Sequence, residues 1–121
     1  MSGLTDSELA ALDLGVRQFN RQEFFACHET LEQLWVRQQD PERQFTQGLI
    51  QIAVAFHHLK ACNYTGAAKL FARGLARIEA FVPVHRGLDV ASLASAVNDN
   101  LQALEAPSPV LPAPPAICRL D

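Results

Sequence analysis

The sequence feature that most restricts the fold is a long apolar helical repeat in the middle of the chain. Large apolar residues recur there at i, i+4, i+7, i+11 and i+14, namely Phe45, Leu49, Ile52, Phe56 and Leu59. The intervening apolar residues extend this surface around most of the helix. Because a helix that is apolar on most of its circumference must be buried, the repeat predicts a central helix over residues 41–61.

Four further segments predict helices packed around the central one. A capping box, Thr5 to Glu8, begins a helix over residues 5–19, and Asn20 with Glu23 three residues later begins a second helix that ends before Asp40. The remaining two helices are predicted over residues 65–82 and 89–105, the latter capped by Asp89. No segment has the alternating pattern of a strand. The predicted fold class is therefore all-α, a compact bundle of about five helices with a buried third helix.

The chain is short enough for one domain, and its last part has a different composition. We expect residues 1–105 to form the single bundle domain. Five of the seven prolines lie within residues 106–116. This composition predicts that residues 106–121 form an extended, Pro-rich tail that lies on the bundle.

Composition and charge exclude several classes of protein. The net charge of −3 argues against a nucleic-acid-binding protein, and a basic ridge at Lys69, Arg73 and Arg77 is typical of a solvated helix face. The longest apolar run, 52–56, is too short to span a membrane. The first residues do not resemble a signal peptide. With three cysteines and no C-x-x-C motif, we expect reduced thiols, a cytoplasmic protein and a buried Cys27.

Polar residues interrupt the apolar pattern at matching places on the second and third helices. His28, Glu32 and Trp35 lie at helical spacing along the second helix. Gln47, Gln51 and His58 share the side of the third helix that faces away from Phe45. Because unpaired polar groups are costly in an apolar interior, we expect the two sets to meet in a polar pocket between the helices.

The same residues carry a resemblance to a known family. The motifs are Phe24-Phe25-x-x-His28-Glu29-x-x-Glu32-x-x-Trp35, then Phe45-x-Gln47-Gly48-Leu49-Ile50-Gln51-x-Ala53, then His58-Leu59-x-x-x-Asn63. Together they resemble the family called domain of unknown function 309, whose members are small all-helical proteins. The resemblance covers about residues 19–82 and implies that these polar residues are motif positions. It supplies no reaction, and it implies Gly where this chain has Cys62.

Three interpretations of the polar residues remain open, and whether the protein is an enzyme is undecided. In the first, the residues form a structural hydrogen-bond network. In the second, they form a binding or interaction module for a small molecule, a protein partner or a second copy of the chain. In the third, the protein is a metal-dependent hydrolase in which His28, Glu32 and His58 hold a divalent metal and Glu29 is the base.

Overall fold

A computed structural model describes residues 4–120 of the chain as a helical bundle. Its five helices are α1 (Asp6–Asn20), α2 (Phe24–Trp35), α3 (Glu42–Lys60), α4 (Tyr64–Ile78) and α5 (Val90–Leu104). A short 3-10 turn, Glu79–Phe81, follows α4, and a two-stranded hairpin precedes α5, with strands β1 (Val84–His85) and β2 (Leu88–Asp89). The all-α bundle with five helices is confirmed.

Local capping signals explain where α1 and α5 begin. The hydroxyl of Thr5 accepts a hydrogen bond from the Glu8 amide at 3.1 Å, and the Glu8 carboxylate accepts one from the Thr5 amide at 3.4 Å. The Asp89 carboxylate accepts from the Ser92 amide at 3.0 Å, and the hydrogen bonds from Ser92 lower the pKa of Asp89. Each cap satisfies an amide that the first helical turn leaves without a partner.

The third helix lies between α2 and α4, as the apolar repeat predicts. Its inward side contributes Phe56 to a cluster of phenyl rings. The centroid of the Phe56 ring lies 5.2 Å from that of Phe24 and 4.8 Å from that of Phe71. These three side chains are almost completely buried. Aromatic packing of this kind adds stabilisation beyond the area that it buries.

Two glycines bring α3 and α4 close together. A Cβ atom at Gly74 would lie 2.7 Å from Cγ1 of Ile52 and 3.0 Å from the carbonyl oxygen of Gly48. A Cβ atom at Gly48 would lie 2.7 Å from Cγ2 of Ile78. Since carbon atoms do not approach so closely without displacement, the separation of the two helices depends on both glycines.

Two predicted helix boundaries and the predicted absence of strands are wrong. Asn20 does not cap α2; it ends α1, and α2 begins after Glu23, which makes no side-chain capping bond within the described chain. The fourth helix ends at Ile78 rather than residue 82 because the last residues before Pro83 tighten into a 3-10 turn. The absence of strands is also wrong, since β1 and β2 pair antiparallel around Gly87, whose φ is +74°.

Residues 117–119, near the end of the C-terminal segment, are bound to the bundle. The Asn20 side chain donates to the Ile117 carbonyl at 3.1 Å and accepts from the Ile117 amide at 2.7 Å. The Asp89 amide donates to the Cys118 carbonyl at 2.8 Å, and Arg119 forms an ion pair with Asp13. The Ile117 side chain is buried. These contacts explain why Asn20 is unavailable as a helix cap.

Candidate functional site

A polar stripe runs along the side of α3 that faces away from the core. Gln47, Gln51 and His58 follow one another at intervals of four and seven residues, and all three are half-buried. The flanking helices α2 and α4 partly cover this stripe. Of the polar atoms on it, the Gln51 Oε1 is inaccessible to solvent yet has no hydrogen-bond partner among residues 4–120.

On the α2 side, the stripe is bordered by Trp35. The guanidinium carbon of Arg43, one turn before Gln47, lies 3.8 Å from the centre of the indole ring. This stacking fixes both side chains, because a guanidinium over an indole face is held by cation–π attraction. The indole Nε1 and the Arg43 Nε are both shielded from solvent, and neither finds an acceptor within the described residues.

On the α4 side, the stripe is bordered by Arg77. A Cβ atom at Gly48 would lie 3.1 Å from the Arg77 Cβ, so this arginine lies directly over Gly48. Arg77 therefore lies where α4 packs on α3. The Arg77 Nε is also shielded and lacks an acceptor in the part of the chain that the structure describes. We call Trp35, Arg43, Gln47, Gln51 and Arg77 the outer α3 surface.

His28 lies further along α2, in a separate set of aromatic contacts. Its Nε2 is 3.3 Å from Oε1 of Glu32, and its Nδ1 is 3.3 Å from the Phe25 carbonyl oxygen. The exposed Phe25 ring packs between two imidazoles, with centroids 5.2 Å from His28 and 5.4 Å from His57. Since Glu32 is exposed, this pair is a surface interaction of small energetic weight.

His58 is held at the turn between α3 and α4. Its Nδ1 lies 3.3 Å from the side-chain nitrogen of Asn63, and the Asn63 side-chain oxygen caps α4 by accepting from the Gly66 amide at 3.0 Å. Cys62 closes the turn with φ +60°, the left-handed region that glycine adopts without strain. This backbone conformation explains why the resemblance implies Gly at this position.

The comparisons with known proteins concern this part of the chain. The model of the family described as Domain of unknown function (DUF309) matches residues 12–70. This segment, just under half of the chain, is similar to DUF309. The resemblance to this family is thereby confirmed, and the match contains the second part of α1, all of α2 and α3, and the first part of α4.

A relative from Bacillus subtilis (strain 168), the uncharacterized protein YpuF, is 34% identical over 74 residues. The aligned part makes up 59% of this chain and 41% of the relative. The chain thus spans less than half the length of this relative. Neither the DUF309 description nor the relative's name specifies a ligand or a reaction.

The polar residues of the matched segment do not form one interior pocket. None of the six expected pocket residues is buried: Glu32 is exposed, and His28, Trp35, Gln47, Gln51 and His58 are half-buried. The two polar ridges lie on neighbouring helices, as expected, but they border the surface rather than the core. An open cavity of about 290 Å³ lies beside Glu29 and Glu32 on the solvent side of α2.

The geometry does not support the metal site of the third interpretation. Among residues 4–120, no group of three or more His, Cys, Asp or Glu side chains is arranged to hold a metal ion. His28 contacts Glu32, whereas His58 is turned towards Asn63. Glu29 is exposed on another side of α2. Within the same residues, no helix has the length and apolar character needed to cross a membrane.

Sequence reasoning missed a polar cluster that joins Glu42 on α3 to the hairpin. Oε1 of Glu42 lies 2.9 Å from His85 Nε2 and 2.9 Å from Arg86 Nη2. The His85 ring also packs on Phe45, with a centroid separation of 4.6 Å. A cavity of about 300 Å³ adjoins Glu42 and Arg86. The partners are more than 40 residues apart, so no local motif signals the cluster; only the hairpin brings them together.

The cysteines agree with the expectation for Cys27. Its thiol is buried in the core, and burial raises its pKa to about 12. The thiol is therefore neutral at physiological pH and poorly nucleophilic. Cys62 and Cys118 are exposed, and all three cysteines are free.

Proposed function

We propose that this protein is a binding module that recognises a partner protein through the outer α3 surface. The proposal rests on one observation: of the eight shielded side-chain atoms that lack a hydrogen-bond partner among residues 4–120, four belong to this surface, those of Trp35, Arg43, Gln51 and Arg77. A buried polar group without a partner costs free energy of folding, on the order of 1–3 kcal/mol. Such a cost is expected where the polar groups are used for recognition.

The shape of the surface favours a macromolecular partner over a small molecule. Its residues come from three neighbouring helices and are half-buried, not enclosed. Grooves between neighbouring helices are typical docking sites for another helix. Trp35 and the two arginines are also residue types that carry much of the energy in protein interfaces.

The hydrogen-bond network is a weaker explanation for these residues. His28 contacts Glu32, and His58 contacts Asn63, but neither contact reaches Gln47, Gln51 or the Trp35 indole nitrogen. A structural network would satisfy its own members. Binding to a partner is a role that accounts for the groups which the bundle leaves unsatisfied.

Peptide selection with a fluorescence readout tests the proposal. A display library of random 16-residue peptides is selected on the full chain, and enriched peptides are titrated against it. Because Trp35 is the only tryptophan, its emission reports directly on the outer α3 surface. We expect selected peptides to shift this emission and Gln51→Ala to weaken their binding.

The matched control is Gln102→Ala, which changes the same residue type on the exposed side of α5. We expect this variant to bind selected peptides as the unchanged chain does. The proposal is wrong if no selected peptide alters Trp35 emission, or if Gln51→Ala and Gln102→Ala bind equally well.

We also propose a cytoplasmic location. The three free thiols support it, because disulfides are rare in reducing compartments. Fractionation of the native host tests this, and recovery with a secreted or membrane fraction would contradict it.

A further inference from the structure

We propose that the surface between α1 and the hairpin is a second binding site, for an extended peptide of another protein, and that residues 117–120 of this chain fill it in the absence of that peptide. We call this surface, formed by Asp13 and Asn20 of α1 and by residues 87–89 of the hairpin, the tail site. The tail site is separate from the outer α3 surface, so the inference does not depend on the proposed function.

The tail site binds main-chain groups of its occupant. The Asn20 side chain bonds to both main-chain groups of Ile117, accepting from the amide at 2.7 Å and donating to the carbonyl at 3.1 Å. On the hairpin, the Asp89 amide donates to the Cys118 carbonyl at 2.8 Å, and the Gly87 carbonyl accepts from the Leu120 amide at 2.7 Å. The occupant therefore lies beside β2 as an added strand, which is a recurrent way for proteins to bind extended peptides.

Two side chains of the occupant give the tail site its selectivity. The Ile117 side chain is buried, and the Arg119 guanidinium pairs with the Asp13 carboxylate. Cys118 and Leu120 are exposed. This alternation is that of an extended segment, in which side chains two residues apart point the same way. The ligand that fits is therefore an extended peptide with an aliphatic residue followed, two positions later, by a basic residue.

The linker to the occupant is long enough to let it leave. Residues 107–116 make no hydrogen bond to the bundle within residues 4–120, and none of them is buried. They lead from the end of α5 back to its start, where Asp89 contacts Cys118. The 15 residues of α5 are about 22 Å long, whereas ten residues of an extended Pro-rich linker reach about 31 Å. Residues 117–120 can thus detach without displacing α5.

The linker also determines how a free peptide competes. It holds residues 117–120 near the tail site at an effective concentration in the millimolar range. A peptide with the same contacts but no linker binds weakly while the chain's own segment is in place. Weakening that segment should expose the site to the peptide.

The test uses the full chain with Ile117→Ser, which removes the buried side chain of the occupant. The probe is a fluorescein-labelled synthetic peptide with the sequence of residues 113–121, titrated under reducing conditions and followed by fluorescence anisotropy. We expect it to bind the Ile117→Ser chain at least about tenfold more tightly than the unchanged chain. The same peptide carrying Ile117→Ser should bind about tenfold more weakly, since it lacks the aliphatic side chain.

Matched asparagine variants in the Ile117→Ser chain show where the peptide binds. Asn20→Ala removes both bonds to the main chain of the peptide and should lower its affinity about tenfold. Asn98→Ala is the control, because Asn98 is exposed on α5, and it should leave the affinity unchanged. Thermal unfolding verifies that each variant is folded. If Ile117→Ser does not fold, Arg119→Glu replaces it, since this exposed residue would then repel Asp13.

Three results would overturn the inference. The first is a folded chain with a released segment that does not bind the peptide. The second is equal affinity of the Asn20→Ala and Asn98→Ala variants. The third is a dimer of the unchanged chain in sedimentation equilibrium that Ile117→Ser abolishes, because the occupant would then be the same segment of a second copy and not another protein.

Discussion

The two sides of α3 differ in how completely their atoms are satisfied. On the inward side, Phe45, Leu49, Ile52 and Phe56 are almost fully buried, and Gly48 meets Gly74 of α4 closely. On the outward side, Gln47 and Gln51 are half-buried beside arginine and indole groups that lack partners within the described chain. One helix thus holds both the packing that stabilises the bundle and the polar groups that the bundle does not use.

This contrast separates stability from recognition. Changes on the inward side remove contacts that exist in the folded chain, so we expect large losses in the free energy of unfolding. Changes on the outward side remove polar groups that contribute little to the free energy of unfolding, so we expect small changes in stability.

The largest effect is expected for Phe56→Ala on the inward side. The Phe56 ring packs on those of Phe19, Phe24 and Phe71, and truncation leaves a cavity among them. We expect the free energy of unfolding to fall by about 3–5 kcal/mol. Urea denaturation followed by circular dichroism measures it. A loss below about 1 kcal/mol would show that this cluster does not hold the bundle together.

A pH titration tests burial of the Cys27 thiol. Burial raises its pKa in the folded chain to about 12, from an ordinary value of 9.0. Below about pH 9 both states keep the proton; above it the unfolded chain ionises first, so stability falls as the pH rises from about 9 towards 12. The total loss is on the order of a few kcal/mol, since each pKa unit is worth about 1.4 kcal/mol.

The control for this titration is Cys27→Ala, which removes the thiol and so should flatten the difference between pH 8 and pH 11. Urea denaturation at each pH compares the two proteins. Parallel pH profiles for the unchanged chain and for Cys27→Ala would contradict a buried neutral thiol.

A moderate effect is expected for Gly74→Ala at the contact between α3 and α4. The added methyl would lie 2.7 Å from Cγ1 of Ile52, and the Gly48 backbone is also close. We expect a loss of about 1–3 kcal/mol from overpacking. Without this clash, alanine would instead stabilise the helix by about 1 kcal/mol. Thermal denaturation distinguishes the two cases: a lower melting temperature for Gly74→Ala supports the close approach of α3 and α4, and a higher one contradicts it.

A small effect is expected for His28→Ala on the outer side of α2. Its Nε2 lies 3.3 Å from Oε1 of Glu32, and the Glu32 side chain is exposed to solvent. We expect the free energy of unfolding to change by less than about 0.5 kcal/mol. A loss of several kcal/mol in urea denaturation would instead place His28 in a structural network and weaken the contrast between the two sides.

The helices could be predicted from the sequence because their signals are local. The spacing of Phe45 to Phe56 and the caps at Thr5 and Asp89 depend on residues a few positions apart. The hairpin could not be predicted, since β1 and β2 have two residues each and Leu88 also pairs with Arg119, far along the chain. Asn20 has the chemistry of a helix cap, but its side chain bonds to Ile117 instead.

The candidate site was predicted only in part. Helical spacing placed Trp35 and Gln51 on neighbouring helices, but spacing alone does not say whether a polar stripe lies in the core or at the surface. The arginines were harder to find. Arg77 belongs to a basic ridge typical of a solvated face, and its position over Gly48 depends on how closely α4 approaches α3.

The most direct test of the account measures the stability and the peptide binding of one variant, Gln51→Leu. The change replaces an amide whose shielded oxygen lacks a partner within residues 4–120 with an apolar side chain of similar size. We predict that the free energy of unfolding stays the same or rises by about 0.5–1 kcal/mol, while the affinity for selected peptides falls. Lower stability with unchanged peptide affinity would contradict a recognition surface on the outer side of α3.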